Sequence, residues 1–307
     1  MTAGAWYTLC MDADGESRLR EQIMHRLMVV TARNGGSITR GELAAFDLGD
    51  GRTRRLIDHS RGIWNPRDLS ATLAIVSSPD GPYADEEVDG GLLRYDYRAG
   101  TDAGDNTKLR VAAELGLPLI LLRKIDTGVY VPVFPVYAVD DDRANRRFLI
   151  ALDEGLRFLR DPRHLTEDQR RYARRIARQR LHQPEFRGRV IRAYGTSCTI
   201  CSLRHGELLD AAHIVPDSHQ TLGQPVVRNG LSLCKIHHAA FDEHLLGITP
   251  DYEVRINADL LDEVDGPMLK HGLQEMHGQS LHLPAARRDW PDRDRLAHHW
   301  DDFLRAS

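Results

Sequence analysis

Two short cysteine and histidine pairs constrain this chain more than any other feature of its sequence. Cys198 and Cys201 form a C-x2-C pair, and Cys234 and His237 form a C-x2-H pair further along the chain, whereas Cys10 stands alone. Thiolates and a neutral imidazole bind zinc tetrahedrally, and structural zinc sites are commonly assembled from two such pairs. The spacing therefore predicts a structural Zn²⁺ site, with ordinary core cysteines as the alternative.

Length and composition indicate a globular protein with more than one core. The chain has 307 residues, 41% of them hydrophobic and 28% charged, which favours two domains. No apolar run approaches the roughly 18 residues of a membrane span, and the opening residues lack the features of a signal peptide. We therefore expect a cytoplasmic protein without membrane contact. The formal net charge of −4 argues at first sight against a nucleic-acid partner.

Helical periodicity comes first in the sequence, and strand-like runs follow. Apolar positions repeat at helical spacing over residues 16–34, and a second short helix is expected at 40–46. Short β-branched and leucine-rich runs predict strands at residues 71–76, 117–122, 129–133 and 148–152, with a helix at 107–115. We expect an α+β chain with a helical lead-in (1–60) and a compact, mainly β domain (61–160).

A sharp shift in charge follows the strand-rich part. Between Arg160 and Arg192 there are eleven arginines and four acidic residues, so the total charge averages over unlike segments. Residues 161–184 are predicted to form a basic helical linker that Pro184 ends. Two roles are open for it: a solvated connecting helix, or a surface that binds a nucleic-acid backbone. The candidates for phosphate contacts are Arg171, Arg174, Arg175 and Arg178.

The sequence between the two pairs, together with the residues just after the second pair, contains a further pattern. Its residues are Asp210-Ala-Ala-His213-Ile, Asn229-Gly-Leu, His237-His238 and Asp242. This resembles the HNH, or ββα-metal, nuclease motif, in which a histidine ends one strand, an asparagine opens the next and a histidine lies on the following helix. The resemblance covers about residues 186–249 and is greatest to the subgroup whose motif is bracketed by cysteine pairs. It implies a C-terminal ββα-metal nuclease domain within residues 185–307.

The resemblance also implies a role for each motif residue. His213 matches the general base, Asn229 the residue that braces the loop and orients that base, and His238 the ligand of the catalytic cation. Phosphodiester hydrolysis needs a base for water and a divalent cation for the developing charge, so Mg²⁺, or an ion such as Mn²⁺ or Ni²⁺, is expected. Successive helix residues point about 100° apart, which lets His237 face the zinc while His238 faces the active site.

One position departs from the family pattern. The residue before the base is commonly an Asp or His that binds the metal, and here it is Ala212. Asp210 lies on the same face of the predicted strand, given the two-residue period, and is a candidate replacement. Asp242, one turn beyond His238, is a candidate second ligand. The departure keeps open a catalytically inactive, zinc-containing DNA-binding protein.

A looser set of motifs lies in the strand-rich domain. In order these are P-Y-A-D-E-E-V-D-G-G from residue 82, R-Y-D-Y-R-A-G from 94, G-L-P-L-I-L from 116 and Y-V-P from 130. They resemble the SRA domain, a PUA-like β-barrel that flips a modified cytosine into a pocket between aromatic rings. By order, Tyr83 and Tyr97 match the stacking tyrosines, with Tyr95 as a competitor, and Asp85 or Glu86 matches the acid that binds the base edge. The alternative is ordinary strand tyrosines and a solvated acidic loop.

Together the two resemblances imply a bacterial SRA-HNH enzyme, a modification-dependent (type IV) restriction endonuclease. The expected substrate is double-stranded DNA that contains 5-methylcytosine or a related base, read by the first domain and cut by the second. One HNH site cuts one strand, so a double-strand break implies a homodimer or two binding events. The remaining alternatives are an unselective HNH nuclease of toxin or repair type and the inactive DNA-binding protein.

Overall fold

The structure of the chain is a computed structural model that describes residues 11–78, 92–97, 104–264 and 266–306. These described residues divide into two compact units, one drawn from residues 11–31 and 37–184 and the other from residues 32–36 and 185–306. The architecture is mixed α+β, which confirms the predicted class. Within the described ranges, no helix has both the length and the apolar composition that crossing a membrane requires.

The first unit is built on one mixed sheet. Its elements in chain order are α1 (Ala13–Arg33), β1 (Ile38–Thr39), α2 (Arg40–Ala44), β2 (Phe46–Asp47), β3 (Thr53–Arg54), β4 (Ile63–Trp64), β5 (Ala74–Ser77), β6 (Leu93–Asp96), α3 (Asp105–Glu114), β7 (Leu119–Asp126), β8 (Val129–Asp142), β9 (Arg147–Ala151) and α4 (Glu167–Ala177). The described strands run in the order β4-β5-β7-β8-β9-β6, with β1 also paired to β8. The helix and strand predictions for this part of the chain are confirmed, with shifted ends.

The long strand β8 gives this sheet its curvature. Its first part pairs with β7 and its second part with β9, and each pairing contains a register shift. Such bulges increase twist and bend the strand that carries them. The sheet therefore curls into a half-barrel around a core to which α3 contributes Leu109 and Ala112.

The prediction that Pro184 ends the basic helix was wrong. The α-helical part already ends at Ala177, a π-helical segment spans Arg178–His182, and α5 (Gln183–Ala193) carries Pro184 in its first turn. The Gln183 amide donates to the Arg178 carbonyl five residues back. Proline is tolerated in the first turn of a helix, where its missing N–H is not needed, so the wider π turn and the proline coexist.

One face of this basic segment packs in the first unit. Ala173 and Ile176 of α4 are buried in its hydrophobic cores, as is Leu181 of the π-helical segment. The four arginines proposed for backbone contacts are exposed on the remaining surface. The segment is therefore an amphipathic part of the first unit with a basic outer face.

The second unit contains a β-hairpin that leads directly into a helix. After α5 its elements are β10 (Leu209–His213), β11 (Gly230–Cys234), α6 (Lys235–Asp242), β12 (Leu246–Ile248), β13 (Val254–Ile256), α7 (Ala258–Asp262), α8 (Pro267–Gly272) and α9 (Arg293–Ala306). β10 and β11 pair antiparallel, with His213 opposite Gly230. The order β10-β11-α6 is the ββα arrangement that the motif predicts.

Candidate active site and metal centre

Cys198, Cys201, Cys234 and His237 converge into one cluster. Their ligand atoms all lie within 4.8 Å of one another. Nδ1 of His237 is 3.4 Å from the Cys198 Sγ and 3.3 Å from the Cys234 Sγ, near the separation of about 3.5 Å for ligands about 2.3 and 2.0 Å from a tetrahedral zinc. The other nitrogen, Nε2, is 2.7 Å from the Gly272 carbonyl oxygen. Donation to that carbonyl leaves Nδ1 with the lone pair that a metal requires.

The chemistry of this cluster favours a bound cation. Hydrogen bonds with Cys198 and Cys201 lower the pKa of Cys234, whereas hydrogen bonds to Cys198 and Cys234 raise the pKa of Cys201. Without a metal, the negative charge is therefore favoured on Cys234 and disfavoured on Cys201. A divalent cation balances several thiolates at once, so these residues can hold a metal ion such as zinc.

The two pairs reach the cluster from different elements. Cys234 ends β11 and occupies the N-cap of α6, which places His237 in the first turn of the helix. Cys198 and Cys201 lie in a tight turn in which the Ser202 amide donates to the Cys198 carbonyl. The cluster thereby joins the segment after α5 to the corner between β11 and α6.

His213 ends β10, and packing from α5 orients its ring. The ring stacks on Phe186, with centroids 4.0 Å apart and planes 12° from parallel. Gly230 lies opposite on β11, where an added Cβ would be 2.4 Å from Val190 and 2.9 Å from Phe186. The absence of a side chain at Gly230 therefore lets α5 approach closely enough for Phe186 to support the His213 ring.

Asn229 is buried and holds the loop that follows β10. Its side-chain nitrogen donates to the carbonyls of Val215 at 2.9 Å and Gln224 at 3.2 Å, and its Oδ1 accepts from the Val215 amide at 3.0 Å. Its backbone carbonyl accepts from the Ile214 amide at 3.0 Å. Asn229 thus fixes the residues directly after His213, as a loop-bracing residue would.

His238 lies between two carboxylates. Its Nδ1 is 3.5 Å from Oδ2 of Asp210, and its Nε2 is 3.3 Å from Oδ2 of Asp242. The structure therefore brings together all three residues proposed for the catalytic cation, while Ala212 is buried and has no ligand atom. Because the carboxylates approach opposite nitrogens of the ring, only one of them can share a cation with His238 in this arrangement.

Two basic side chains that the sequence patterns did not identify also reach Asp210. Nζ of Lys235 lies 2.5 Å from its Oδ2, and Nε of Arg187 lies 3.8 Å from its Oδ1. Burial alone would raise the pKa of Asp210, but hydrogen bonds from His238 and Lys235 outweigh it and lower the pKa to about 2. The hydrogen bond to Asp210 in turn raises the pKa of His238. Asp210 is therefore an ionised carboxylate at neutral pH.

A third residue missed by the sequence patterns lies at the start of α9. Arg295 donates from Nε to the Leu222 carbonyl at 2.8 Å and from its terminal nitrogen to Oε1 of Gln224 at 2.6 Å. The Gln224 carbonyl also accepts from Asn229. The loop after His213 is thus held from two sides, and nothing in the local sequence around Arg295 signals this contact.

Among the base-reading candidates, only Tyr97 and its competitor Tyr95 lie in the described residues. Tyr83, Asp85 and Glu86 lie outside them, as does Cys10. Tyr97 is buried, its ring centroid is 4.9 Å from that of Phe148, and its hydroxyl donates to Asp141. Tyr95 is also buried, and its hydroxyl donates to the Gly62 carbonyl at 3.0 Å. Both tyrosines contribute to the core of the first unit.

Comparison with known families identifies the centre of the second unit. The family model for HNH endonucleases matches residues 198–249, from the first cysteine pair through β12. This segment is an HNH endonuclease domain. The chain therefore carries a nuclease domain whose motif residues lie on the hairpin and helix described above.

Two solved structures are similar to larger parts of the chain. The modification-dependent TagI restriction endonuclease is 18% identical with a TM-score of 0.28, over 79% of this chain and 85% of that one. The type IV phosphorothioation-dependent restriction endonuclease ScoMcrA is 17% identical with a TM-score of 0.20, over 63% of this chain and 53% of that one. These TM-scores do not establish a common overall fold. No curated protein matches the chain.

Proposed function

We propose that this protein is a modification-dependent DNA endonuclease that hydrolyses phosphodiesters with its HNH domain. One observation carries the proposal: the matched HNH segment places His213 at the end of β10, Asn229 directly before β11 and His238 on α6. Asp210 and Asp242 lie beside His238. Metal-assisted hydrolysis uses a general base and oxygen or nitrogen ligands for a cation. His213 supplies the base, Asn229 holds the loop that follows it, and the residues around His238 supply the ligands.

In this proposal His213 removes a proton from the attacking water. Its ring is held by Phe186, and the backbone after it is held by Asn229, so both the orientation and the position of the base are preorganised. His238 and one neighbouring carboxylate bind Mg²⁺, Mn²⁺ or Ni²⁺, which supplies charge stabilisation for the phosphoryl group and the leaving oxygen. Asp210 is the better placed carboxylate, because its side chain is 25% exposed against 59% for Asp242.

The cysteine and histidine cluster has a structural role in this scheme. Four protein ligands close a tetrahedral zinc site, which leaves no coordination position for water or substrate. Zn²⁺ at Cys198, Cys201, Cys234 and His237 would therefore hold the ββα elements together while the hydrolytic cation lies at His238.

The first unit is the proposed reader of the DNA. The SRA resemblance supports a site in which Tyr83 and Tyr97 stack on a flipped 5-methylcytosine or related base and Asp85 or Glu86 binds its Watson–Crick edge. The exposed arginines of the basic segment support contacts with the DNA backbone. Cutting both strands with one HNH site per chain requires a homodimer or two successive binding events.

Digestion of matched DNAs tests this function. Otherwise identical duplexes with no modification, 5-methylcytosine or 5-hydroxymethylcytosine are incubated with the protein and Mg²⁺, Mn²⁺ or Ni²⁺ in turn. We expect cleavage of modified DNA and survival of the unmodified duplex. Equal cutting of all three DNAs would establish an unselective HNH nuclease instead. Intact DNA under every condition would contradict the nuclease proposal and support the inactive DNA-binding alternative.

A further inference from the structure

A cleft in the second unit lies outside the HNH motif and both candidate metal sites. It encloses about 310 Å³ and is lined chiefly by Arg228, Tyr252, Arg287, Trp290 and Arg293. Three guanidinium groups and two aromatic rings on one concave surface are the combination with which proteins follow a nucleic-acid strand. The cleft therefore has the chemistry of a polyanion site.

Aromatic rings hold two of these arginines in place. The Arg287 guanidinium lies 5.6 Å from the centroid of the Trp290 ring, and that of Arg293 lies 5.1 Å from the centroid of the Tyr252 ring. The rings are themselves anchored, because Trp290 Nε1 donates to the Pro284 carbonyl at 2.8 Å and the two rings meet edge to face at 5.9 Å. A stacked guanidinium keeps its N–H edge directed outward, where it can bind two phosphate oxygens.

Carboxylates pair with two of the three arginines of the cleft. Asp292 accepts from the Asp294 amide at 3.1 Å at the start of α9, and its other oxygen is 2.9 Å from Arg228. Asp251, just outside the lining, lies 2.9 Å from Arg293. The two side chains of that pair are 60% and 81% exposed, and such a surface ion pair is weak, so Arg293 can exchange it for a phosphate. Arg287 forms no ion pair with any carboxylate in the described part of the chain. Arg287 is thus the cation most available to an anionic ligand.

The cleft lies a short distance from the proposed base. Arg228 directly precedes Asn229, and Gly230 pairs with His213 across the hairpin. Two steps of about 3.8 Å along the chain and an antiparallel pair about 5.5 Å wide place the Cα of Arg228 within about 13 Å of that of His213. At a rise of about 3.4 Å per nucleotide, this distance corresponds to about four nucleotides.

We propose that this cleft binds the backbone phosphates of the substrate DNA strand within about four nucleotides of the scissile phosphate. Arg287 and Arg293 are the phosphate-binding residues, and Arg228 links the cleft to the loop beside His213. The stated distance between these phosphates and the scissile phosphate rests on the proposed function, in which His213 lies at the cut. The cleft lies beyond residue 249 except for Arg228, so it supplies the HNH domain with contacts that the matched segment lacks.

Salt-dependent binding tests this cleft independently of cleavage. The variants Arg287→Ala, Arg293→Ala and their combination are compared with Arg305→Ala, which removes an exposed arginine from the far end of α9. Each is made in the His213→Ala background and titrated with unmodified duplex, without divalent cation, at several salt concentrations. Losing one phosphate contact lowers the slope of log K against log salt by about 0.9. We expect the slope of log K against log salt to be smaller by about two for the double variant and unchanged for Arg305→Ala.

A double variant with the slope of Arg305→Ala would overturn the proposal. Zinc content and thermal melting are measured on the same samples, and the single variant Arg287→Ala, whose contact is the Trp290 ring, provides a second measurement with minimal disturbance. Its slope should fall by about one. A normal slope with active cleavage by the unmutated protein contradicts the cleft alone, whereas a reduced slope with no cleavage of any DNA contradicts the nuclease proposal alone.

Discussion

His237 and His238 are neighbours on α6, yet they lie in two different kinds of site. His237 is 1% exposed, contacts two cysteine sulfurs through Nδ1 and has its second nitrogen bound to a backbone carbonyl. The His238 side chain is 27% exposed and lies between two carboxylates, one of which also binds a lysine. A closed set of four protein ligands suits a structural ion, whereas an open set leaves room for water and substrate.

The comparison shows how little sequence separates the two sites. One helical step of about 100° takes a side chain from the protein interior, at His237, to the partly exposed surface, at His238. The same helix can therefore stabilise the domain through one histidine and serve the proposed chemistry through the next. Mutations that separate stability from cleavage are the direct way to examine this division.

Loss of a ligand from the closed site should have the largest effect. Structural zinc contributes on the order of 10 kcal/mol or more to the folding of small metal-binding domains. We expect Cys234→Ser to lose bound zinc and hydrogen-exchange protection across the second unit, as measured by metal analysis and mass spectrometry. The control His238→Ala should keep both. A Cys234→Ser protein that retains the zinc content and protection of the unmutated chain would break the comparison.

Replacing the proposed base should remove cleavage and leave the closed site intact. Proton transfer by a positioned side chain accelerates reactions by about 10²–10⁴-fold, so we expect a loss of that size for His213→Ala in single-turnover cleavage. Zinc content and DNA affinity should not change. Phe186→Leu, which removes the stacked ring but keeps the base, should cause a smaller loss. Cleavage by His213→Ala at the normal rate would exclude His213 from the mechanism.

A third histidine, His299, can be compared with His237 and His238, because it is buried and lies outside both proposed metal sites. It stacks on Phe241 at 3.7 Å, and burial lowers its pKa from 6.5 to about 4, with nearby His244 adding to the effect. The unfolded chain therefore binds a proton first as the pH falls. The stability that depends on neutral His299 is complete above pH 6.5 and is lost as the pH falls to about 4. At 1.36 kcal/mol per unit of pKa difference, the loss is about 3 kcal/mol.

Denaturant unfolding of His299→Gln over this pH range measures that loss. The variant should show a shallower decline in the free energy of unfolding than the unmutated protein. His271→Gln, a change at a histidine whose side chain is 62% exposed, serves as the control and should follow the unmutated curve. Parallel curves for His299→Gln and the unmutated protein would show that His299 is not the titrating group.

Replacing the carboxylates beside His238 should have the smallest effect, and the two replacements should differ in how much they weaken metal binding. If Asp210 shares the cation, Asp210→Asn should raise the Mn²⁺ concentration for half-maximal cleavage by about 10–100-fold, a size typical of lost support at metal sites. Asp242→Asn should change it much less, because Asp242 is more exposed and approaches the other ring nitrogen. The reverse order of effects would assign the cation to Asp242.

Local spacing made the metal cluster, the motif order and most elements of the first unit predictable. Ligands separated by two residues are compatible with one turn or one helix start, so local geometry brings the two members of each pair together. The meeting of the two pairs depends on the tertiary fold. Pro184 was misjudged because a π turn before it, stabilised by the bond from Gln183 to Arg178, is not visible in residue patterns. The buried setting of Tyr97, against Phe148 and Asp141, likewise depends on how β6 and β9 pack.

The sequence by itself determined which residue types are available and at what spacing: three cysteines and a histidine for a metal, and His213, Asn229 and His238 in nuclease order. Only the tertiary structure decided their surroundings. It placed Lys235 and Arg187 on Asp210, Phe186 under His213, and Arg295 against the loop that Asn229 holds. Short-range geometry follows from the covalent chain, whereas contacts between distant segments depend on the packing of whole elements.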